Sequence, residues 1–227
     1  MNKLSLYTLL ILLFLGLSKN FSPSEQKTPL IPNEKVLGHY FVGAPLSVVL
    51  TENFQIGFLI KTYFMRLKVV HGFKSPEETI VRTSKEFWER NKANIGMSIF
   101  RRDENKQEES TIPQPPGSLY VGNLAFGRWG YANSGEKVWK FHKPYQHYSK
   151  IFGWLEFTPN FEFYKKMKIH LKNEQAFYGL NNEFGANGSI TQKAFKERIG
   201  TSDFEKLTLK QFFKKFIKYP TWDHRKK

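Results

Sequence analysis

The spacing of apolar residues predicts two consecutive helices in the first half of the chain. In residues 51–67, the apolar residues recur three or four positions apart, as on one face of a helix: Ile56, Leu59, Ile60, Tyr63, Phe64 and Leu67. The segment Ser75-Pro76-Glu77-Glu78 then has the residues of a helix start, with serine as N-cap and glutamate closing a capping box. This second helix should reach about Ala93, which makes residues 36–100 a helical subdomain with an antiparallel helix pair.

The first of these helices has two interpretations. Lys61, Arg66 and Lys68 lie off its apolar stripe, as expected for a core helix with a solvated face. A basic polar face is also typical of an amphipathic helix at a membrane surface. The pattern alone fits both, and we take it as a core helix.

The stretch Gly117–Gly188 has strand-like patterns and holds 17 of the chain's 37 aromatic residues. Trp129 and Tyr131 alternate before Asn133-Ser134-Gly135, a turn sequence that predicts a β-hairpin. In Phe161–Lys172, five of the six odd positions are apolar, which predicts a strand. The alternative is a helix with one apolar face, made of Phe163, Tyr164, Met167 and Leu171.

The predicted fold is α+β, with the helix pair packed beside a small antiparallel sheet and closed by short C-terminal helices. Residues 1–18 resemble a cleaved signal peptide, because one lysine precedes an uncharged run that is short for a membrane span. The alternative is a leader that is retained as an uncleaved anchor. Residues 19–35 are rich in proline and polar side chains and predict a tether, and 101–116 predict an exposed loop. Residues 117–227 form an aromatic-rich β module whose last helix should span Thr208–Lys218.

Two features of the composition bear on function: the net charge and the absence of cysteine. The net charge is +15, from 35 basic and 20 acidic residues, and favours an anionic partner. With a leader, that partner is a cell-wall glycan, another anionic envelope polymer or an anionic membrane surface, rather than nucleic acid. A lysine-rich solvated surface explains the same charge without a partner. Because the chain has no cysteine, it has neither disulfides nor thiolate metal sites.

Several kinds of catalytic or cofactor site are not indicated. The sequence contains no GxxxxGK[ST] phosphate loop, no GxGxxG, no HExxH and no GxSxG elbow. His142 and His147 are five residues apart, outside the usual helical spacing of metal ligands. We therefore expect neither a metal nor a cofactor.

Two glutamates remain as candidate catalytic residues, since a glycosidase needs a pair of carboxyl groups about the scissile bond. Glu156 follows Trp154 and Leu155, where burial would favour a protonated acid, and Glu183 follows two asparagines that could orient a sugar or water. The simpler interpretation pairs Glu156 with a surface lysine and makes Glu183 part of a turn.

The function predicted from these patterns is that of an exported protein, periplasmic or secreted, that binds an anionic or glycan partner such as peptidoglycan. A lysozyme-like hydrolase using Glu156 and Glu183 is the alternative, and a basic membrane-surface or nucleic-acid-binding protein is the second alternative. The candidate ligand-binding residues are aromatic or polar side chains of the β module: Trp129, Tyr131, Trp139, His142, Tyr145, Trp154, Asn181 and Asn182.

Overall fold

The computed structural model describes residues 3–21, 28–57, 61–72, 74–105 and 109–195. Two compact units divide the chain. The described residues of the first unit are 3–21, 55–57 and 61–62, and those of the second are 28–54, 63–72, 74–105 and 109–195.

The first unit contains helix α1 (Lys3–Phe21), on which the apolar side chains between Leu4 and Phe14 are exposed. Among the described residues, no helix combines the length and the apolar character that crossing a membrane requires. The signal peptide predicted over residues 1–18 stays a prediction.

The second unit is built around a five-stranded antiparallel sheet with the strand order β3-β2-β1-β4-β5. Its strands are β1 (Leu46–Ile56), β2 (Thr62–His71), β3 (Glu77–Thr83), β4 (Ser98–Arg102) and β5 (Glu109–Ser110). In the registers, Met65 of β2 lies opposite Val81, and Val48 of β1 lies opposite Phe100.

Both faces of this sheet are covered. Successive side chains of a strand point to opposite faces. Val48 of β1 belongs to one hydrophobic cluster and Val49 to the other, and Val69 and Val70 of β2 divide in the same way. Strands β1 and β2 therefore carry apolar side chains on both faces rather than on one.

Five further helices and a hairpin complete the described part of the second unit. The helices are α2 (Glu34–Tyr40), α3 (Lys85–Arg90), α4 (Tyr148–Ile151), α5 (Phe161–Lys172) and α6 (Ser189–Ala194), with 3₁₀ turns at Lys92–Asn94 and Lys143–Tyr145. The hairpin pairs β6 (Gly127–Tyr131) with β7 (Lys137–Phe141).

Helices α2 and α3 contribute to the first cluster. Leu37 of α2 and Phe87 and Trp88 of α3 pack with side chains of β1 to β4. Each helix begins at a polar N-cap: the Asn33 side chain accepts the Val36 N–H, and Ser84 accepts the Phe87 N–H.

The second cluster is mostly aromatic and comes from the region after Gly117. Its largest fully buried members are Tyr120, Tyr148, Phe126, Phe152 and Phe184. The Tyr120 ring lies 4.9 Å from Phe126 and 5.0 Å from Tyr148, both edge to face. This geometry is the one that aromatic rings prefer.

The predicted helix pair is wrong. The described residues that carried the first helical pattern lie in β1 and β2, and the predicted helix start at Ser75 precedes strand β3. In β2, Met65, Leu67 and Val69 face one cluster. Tyr63 lies on the same face as these residues and Phe64 on the opposite face, so apolar residues on both faces of the strand produced the helical spacing of Tyr63, Phe64 and Leu67.

The strand predicted for Phe161–Lys172 is also wrong, and the helical alternative is correct. Asn160 caps helix α5 by accepting the Phe163 N–H at 2.7 Å. Phe163 and Met167, four residues apart, are buried, whereas Ile169 is exposed. The alternation was a coincidence in a segment whose lysine, methionine and leucine residues favour helix.

Two segments predicted to be extended and exposed are partly packed. Within the predicted tether, Ile31 is buried and its N–H donates to the Arg82 carbonyl of β3. Within the predicted loop 101–116, Arg101, Arg102 and Gln114 are buried. Backbone pairing with the sheet holds both segments, since Gln114 exchanges two hydrogen bonds with Ser98.

The hairpin prediction is confirmed, with Trp129 opposite Trp139 and the turn over Ala132–Glu136. One of the predicted short C-terminal helices is α6, which begins at Ser189, and residues 196–207 lie outside the described residues. The last predicted helix, Thr208–Lys218, also lies outside them.

Candidate binding surface

Glu156 lies in an exposed turn after helix α4. The preceding residue, Leu155, has a positive φ of 53° and a side chain that is largely exposed. Glu156 lines an open groove of about 470 Å³ together with Ser189 and Lys193. The apolar burial expected around this carboxyl group is therefore wrong.

Glu183 is tied into its own loop. Its carboxylate accepts the Asn181 backbone N–H at 3.0 Å and the Asn181 Nδ2–H at 3.2 Å. Its carbonyl oxygen accepts the Ile190 N–H, which joins the loop to α6. Asn181 and Asn182 are exposed, and Asn182 has a positive φ of 55°. The catalytic roles of Glu156 and Glu183 stay predictions.

Two candidate tryptophans belong to the core. Trp139 is 2% exposed and Trp154 is 3% exposed, so neither ring is open to solvent as a stacking surface. The Trp154 indole N–H donates to the Pro116 carbonyl at 2.9 Å. Their main contribution is to the aromatic cluster.

The remaining aromatic and histidine candidates differ in exposure. Tyr131, at the end of β6, is 70% exposed. His142 is exposed, with Nε2 3.2 Å from the Leu124 carbonyl oxygen. Tyr145 is half-buried against Phe126, with 4.9 Å between ring centroids.

Trp129 is half-buried and forms the centre of a surface shared by the hairpin and helix α5. Its ring centroid lies 5.0 Å from that of Phe161 and 5.4 Å from that of Tyr164. Lys137 Nζ lies 4.5 Å from the Phe161 centroid, and Lys165 Nζ lies 4.8 Å from it. We call these five residues, Trp129, Lys137, Phe161, Tyr164 and Lys165, the aromatic–lysine surface.

Asn160 holds the two elements of this surface together. Its Oδ1 caps α5, while its Nδ2 donates to the carboxylate of Glu136 in the hairpin turn. The backbone N–H of Trp139 also donates to the Pro159 carbonyl at 2.8 Å. The local sequence Pro159-Asn160 thus starts the helix beside β7 and places Phe161 against Trp129.

The electrostatic character of this region is positive. Residues 128–172 contain nine basic and three acidic residues, a net charge of +6 with histidines neutral. Neither Lys137 nor Lys165 takes part in an ion pair among the described residues. Ammonium groups within about 6 Å of an aromatic centroid are attracted to its π-face. The surface therefore presents two cations whose positions the Phe161 ring favours.

Sequence analysis selected only Trp129 of this surface. Tyr164 and Lys165 follow Phe161 by three and four residues, so all three share a face only on a helix. The strand interpretation placed Tyr164 on the opposite side from the other two. The asparagine cap at position 160 was the signal that could have revealed them.

Among the described residues, no three His, Asp or Glu side chains are grouped closely enough to hold a metal ion. Comparisons of the chain with known protein families, with curated proteins and with solved structures found no match.

Proposed function

We propose that the protein is exported to the cell envelope and binds an anionic glycan there, such as peptidoglycan, through the aromatic–lysine surface. The observation that carries this proposal is the placement of two ammonium groups beside one ring: Lys137 Nζ and Lys165 Nζ lie 4.5 and 4.8 Å from the Phe161 centroid. Two cations at a fixed place on the protein suit the repeated carboxylates or phosphates of an envelope polymer.

The surrounding residues support this choice of partner. The half-buried rings of Trp129 and Tyr164 give the surface apolar patches beside its charges. Sugar rings combine apolar C–H faces with polar hydroxyl groups, so a mixed surface matches them better than a purely charged one. The net charge of +15 for the whole chain raises the local concentration of polyanions.

Co-sedimentation of the purified protein with peptidoglycan over a range of NaCl concentrations tests the proposal. Binding should weaken as salt rises, because exposed charge interactions are screened. The double variant Lys137→Gln/Lys165→Gln should bind about two- to thirtyfold more weakly at low salt, since each exposed charge contact contributes about 0.2–1 kcal/mol.

Lys35→Gln/Lys85→Gln is the matched control, because it removes the same charge from exposed lysines on α2 and α3. If both double variants bind peptidoglycan equally weakly, the effect comes from net charge alone, which would contradict the assigned surface. Equal affinity for duplex DNA and peptidoglycan would contradict a glycan partner. Binding that does not respond to salt would contradict the role of the lysines.

A further inference from the structure

A second feature is a pocket of about 260 Å³ between the β4–β5 pair and helix α5, which shares Tyr164 with the aromatic–lysine surface but is not lined by Lys137 or Lys165. Arg101 and Ser110 line it from the strands, Gln114 and Ser118 from the segment that follows them, and Lys168 from the helix. Its volume is below the roughly 300–1,000 Å³ of pockets for drug-sized ligands, so it suits a smaller molecule.

Arg101 brings a buried positive charge to this pocket. The residue is 4% exposed, and burial lowers the pKa of its guanidinium to about 9, which leaves it protonated at pH 7. It takes part in no ion pair among the described residues. Its Nη atoms donate to the Ser98 carbonyl, the Ser110 hydroxyl and the Ile112 carbonyl, so neutral oxygens alone hold it.

Gln114 has a buried acceptor atom that receives no hydrogen bond among the described residues. Its residue exposure is 0%, and its Nε2 donates to the Gln175 carbonyl at 3.1 Å. Its Oε1 has no hydrogen-bond partner among the described residues. A buried polar atom left unpaired costs about 1–3 kcal/mol, so such atoms in a native protein call for a partner.

Ser118 presents the same situation four residues later. Its Oγ is buried and has no hydrogen-bond partner among the described residues. A hydroxyl can both donate and accept, so it tolerates ligand groups of either kind. The residues that line the pocket thus include Gln114 with an unpaired amide oxygen, Ser118 with an unpaired hydroxyl and Arg101 with a buried guanidinium.

The other lining residues narrow the class of ligand. Arg101 and Lys168 are opposed by Asp103 and Glu104, so the charges that line the pocket balance. This balance disfavours a ligand with a net charge. Apolar or aromatic side chains complete the wall: Leu119, Val121, Tyr164, Met167 and Leu171.

We propose that this pocket binds a single neutral sugar residue. Sugar hydroxyls both accept and donate, so one ring can accept from Arg101 and donate to Gln114 Oε1 and to the acidic residues at once. Its C–H face can lie against the apolar wall. A simple anion would satisfy Arg101 but not Gln114, and a simple cation would do the reverse.

The inference does not rest on the proposed binding of an envelope polymer. Polymer binding depends on exposed lysines and should decline with salt, whereas sugar binding by buried hydrogen bonds should persist. Lys137→Gln/Lys165→Gln should therefore leave sugar binding unchanged. Failure of one proposal leaves the other standing.

Saturation-transfer NMR on the full chain tests the pocket with glucose, galactose and N-acetylglucosamine, each at millimolar concentration. Glycine and acetate serve as zwitterionic and anionic comparators. At least one neutral sugar should bind more tightly than either comparator. Ser118→Ala should weaken that sugar by about three- to tenfold, the loss of roughly one hydrogen bond.

Ser118→Ala should not lower Tm, because the hydroxyl it removes has no partner among the described residues. Ser149→Ala is the matched control, a half-buried serine outside the pocket, and should leave sugar binding unchanged. Binding of acetate or glycine in place of sugars would overturn the assigned ligand class. No binding by any probe, or sugar binding unaffected by Ser118→Ala, would overturn the site.

Discussion

The hydroxyl of Tyr120 donates to the carbonyl oxygen of Val70 across 3.1 Å. This bond joins the aromatic region after Gly117 to strand β2 of the central sheet. Tyr148 makes a similar connection nearby, where its hydroxyl donates to the carbonyl of Gly72. Two buried tyrosines therefore fix the aromatic cluster against the end of one strand.

Tyr120→Phe should lower the free energy of unfolding by about 1–3 kcal/mol, because the Val70 carbonyl would lose its side-chain donor inside the core. Urea denaturation at neutral pH measures this change. Tyr131→Phe is the control, since that side chain is 70% exposed and its hydroxyl makes no such bond. Equal stability of Tyr120→Phe and wild type would show that the bond does not contribute.

Alkaline pH should destabilise the fold through Tyr148. Burial, with a smaller contribution from Tyr145, raises the pKa of Tyr148 from 10.0 to about 12. The folded state then binds more protons than the unfolded state between these values, so stability is intact below pH 10 and falls as pH rises towards 12. The full loss, reached once Tyr148 is deprotonated in both states, should be about 2.7 kcal/mol for a shift of this size.

Urea unfolding of wild type and Tyr148→Phe at several pH values from neutral to 11.5 isolates this effect. Lysine titration affects both proteins equally, so the difference between them carries the tyrosine contribution. The excess in free energy of unfolding of wild type over Tyr148→Phe should shrink as pH rises, because only wild type loses stability when Tyr148 deprotonates. A constant difference would refute the assigned direction of the pKa shift.

Asn160→Ala should affect both stability and the aromatic–lysine surface. Removal of an N-cap costs about 1 kcal/mol. The variant also loses the bond to Glu136, so α5 should shift relative to the hairpin and weaken peptidoglycan binding. Thermal unfolding and co-sedimentation give the two readouts. Asn173→Ala, at the exposed end of α5, should change neither.

Glu183→Ala should release its loop. The carboxylate accepts two hydrogen bonds from Asn181, so amide exchange at Asn181 should accelerate and stability should fall by about 1 kcal/mol. Glu156→Ala, which removes an exposed carboxylate, should leave stability unchanged. Release of peptidoglycan fragments by wild type that both variants abolish would instead support the predicted hydrolase.

The parts of the fold that sequence predicted correctly depend on local chemistry. Asn133-Ser134-Gly135 specifies a tight turn regardless of distant residues, and the hairpin follows from it. Strand β2 was missed because its environment is not local. On its second face, Val70 packs into the aromatic cluster from the region after Gly117, and that cluster cannot be inferred from β2 itself.

The same distinction applies to the candidate sites. Arg101 and Gln114 belong to a charged, proline-rich stretch that is typical of exposed loops. Their burial depends on the backbone hydrogen bonds between Gln114 and Ser98. It depends also on helix α5, which begins more than 45 residues further along the chain. Trp139 and Trp154 were selected for their chemistry, but composition alone does not show which rings of an aromatic-rich region reach solvent.

Strand β1 forms part of two cores, with Val48 in one and Val49 in the other. Neither core can close until this strand lies beside β4, about 50 residues later in the chain. Such distant pairing makes folding slow, because a long loop must be ordered before the contacts form. We therefore expect both cores to form in one kinetic phase, and substitutions at Val48 and Val49 to change the same folding rate.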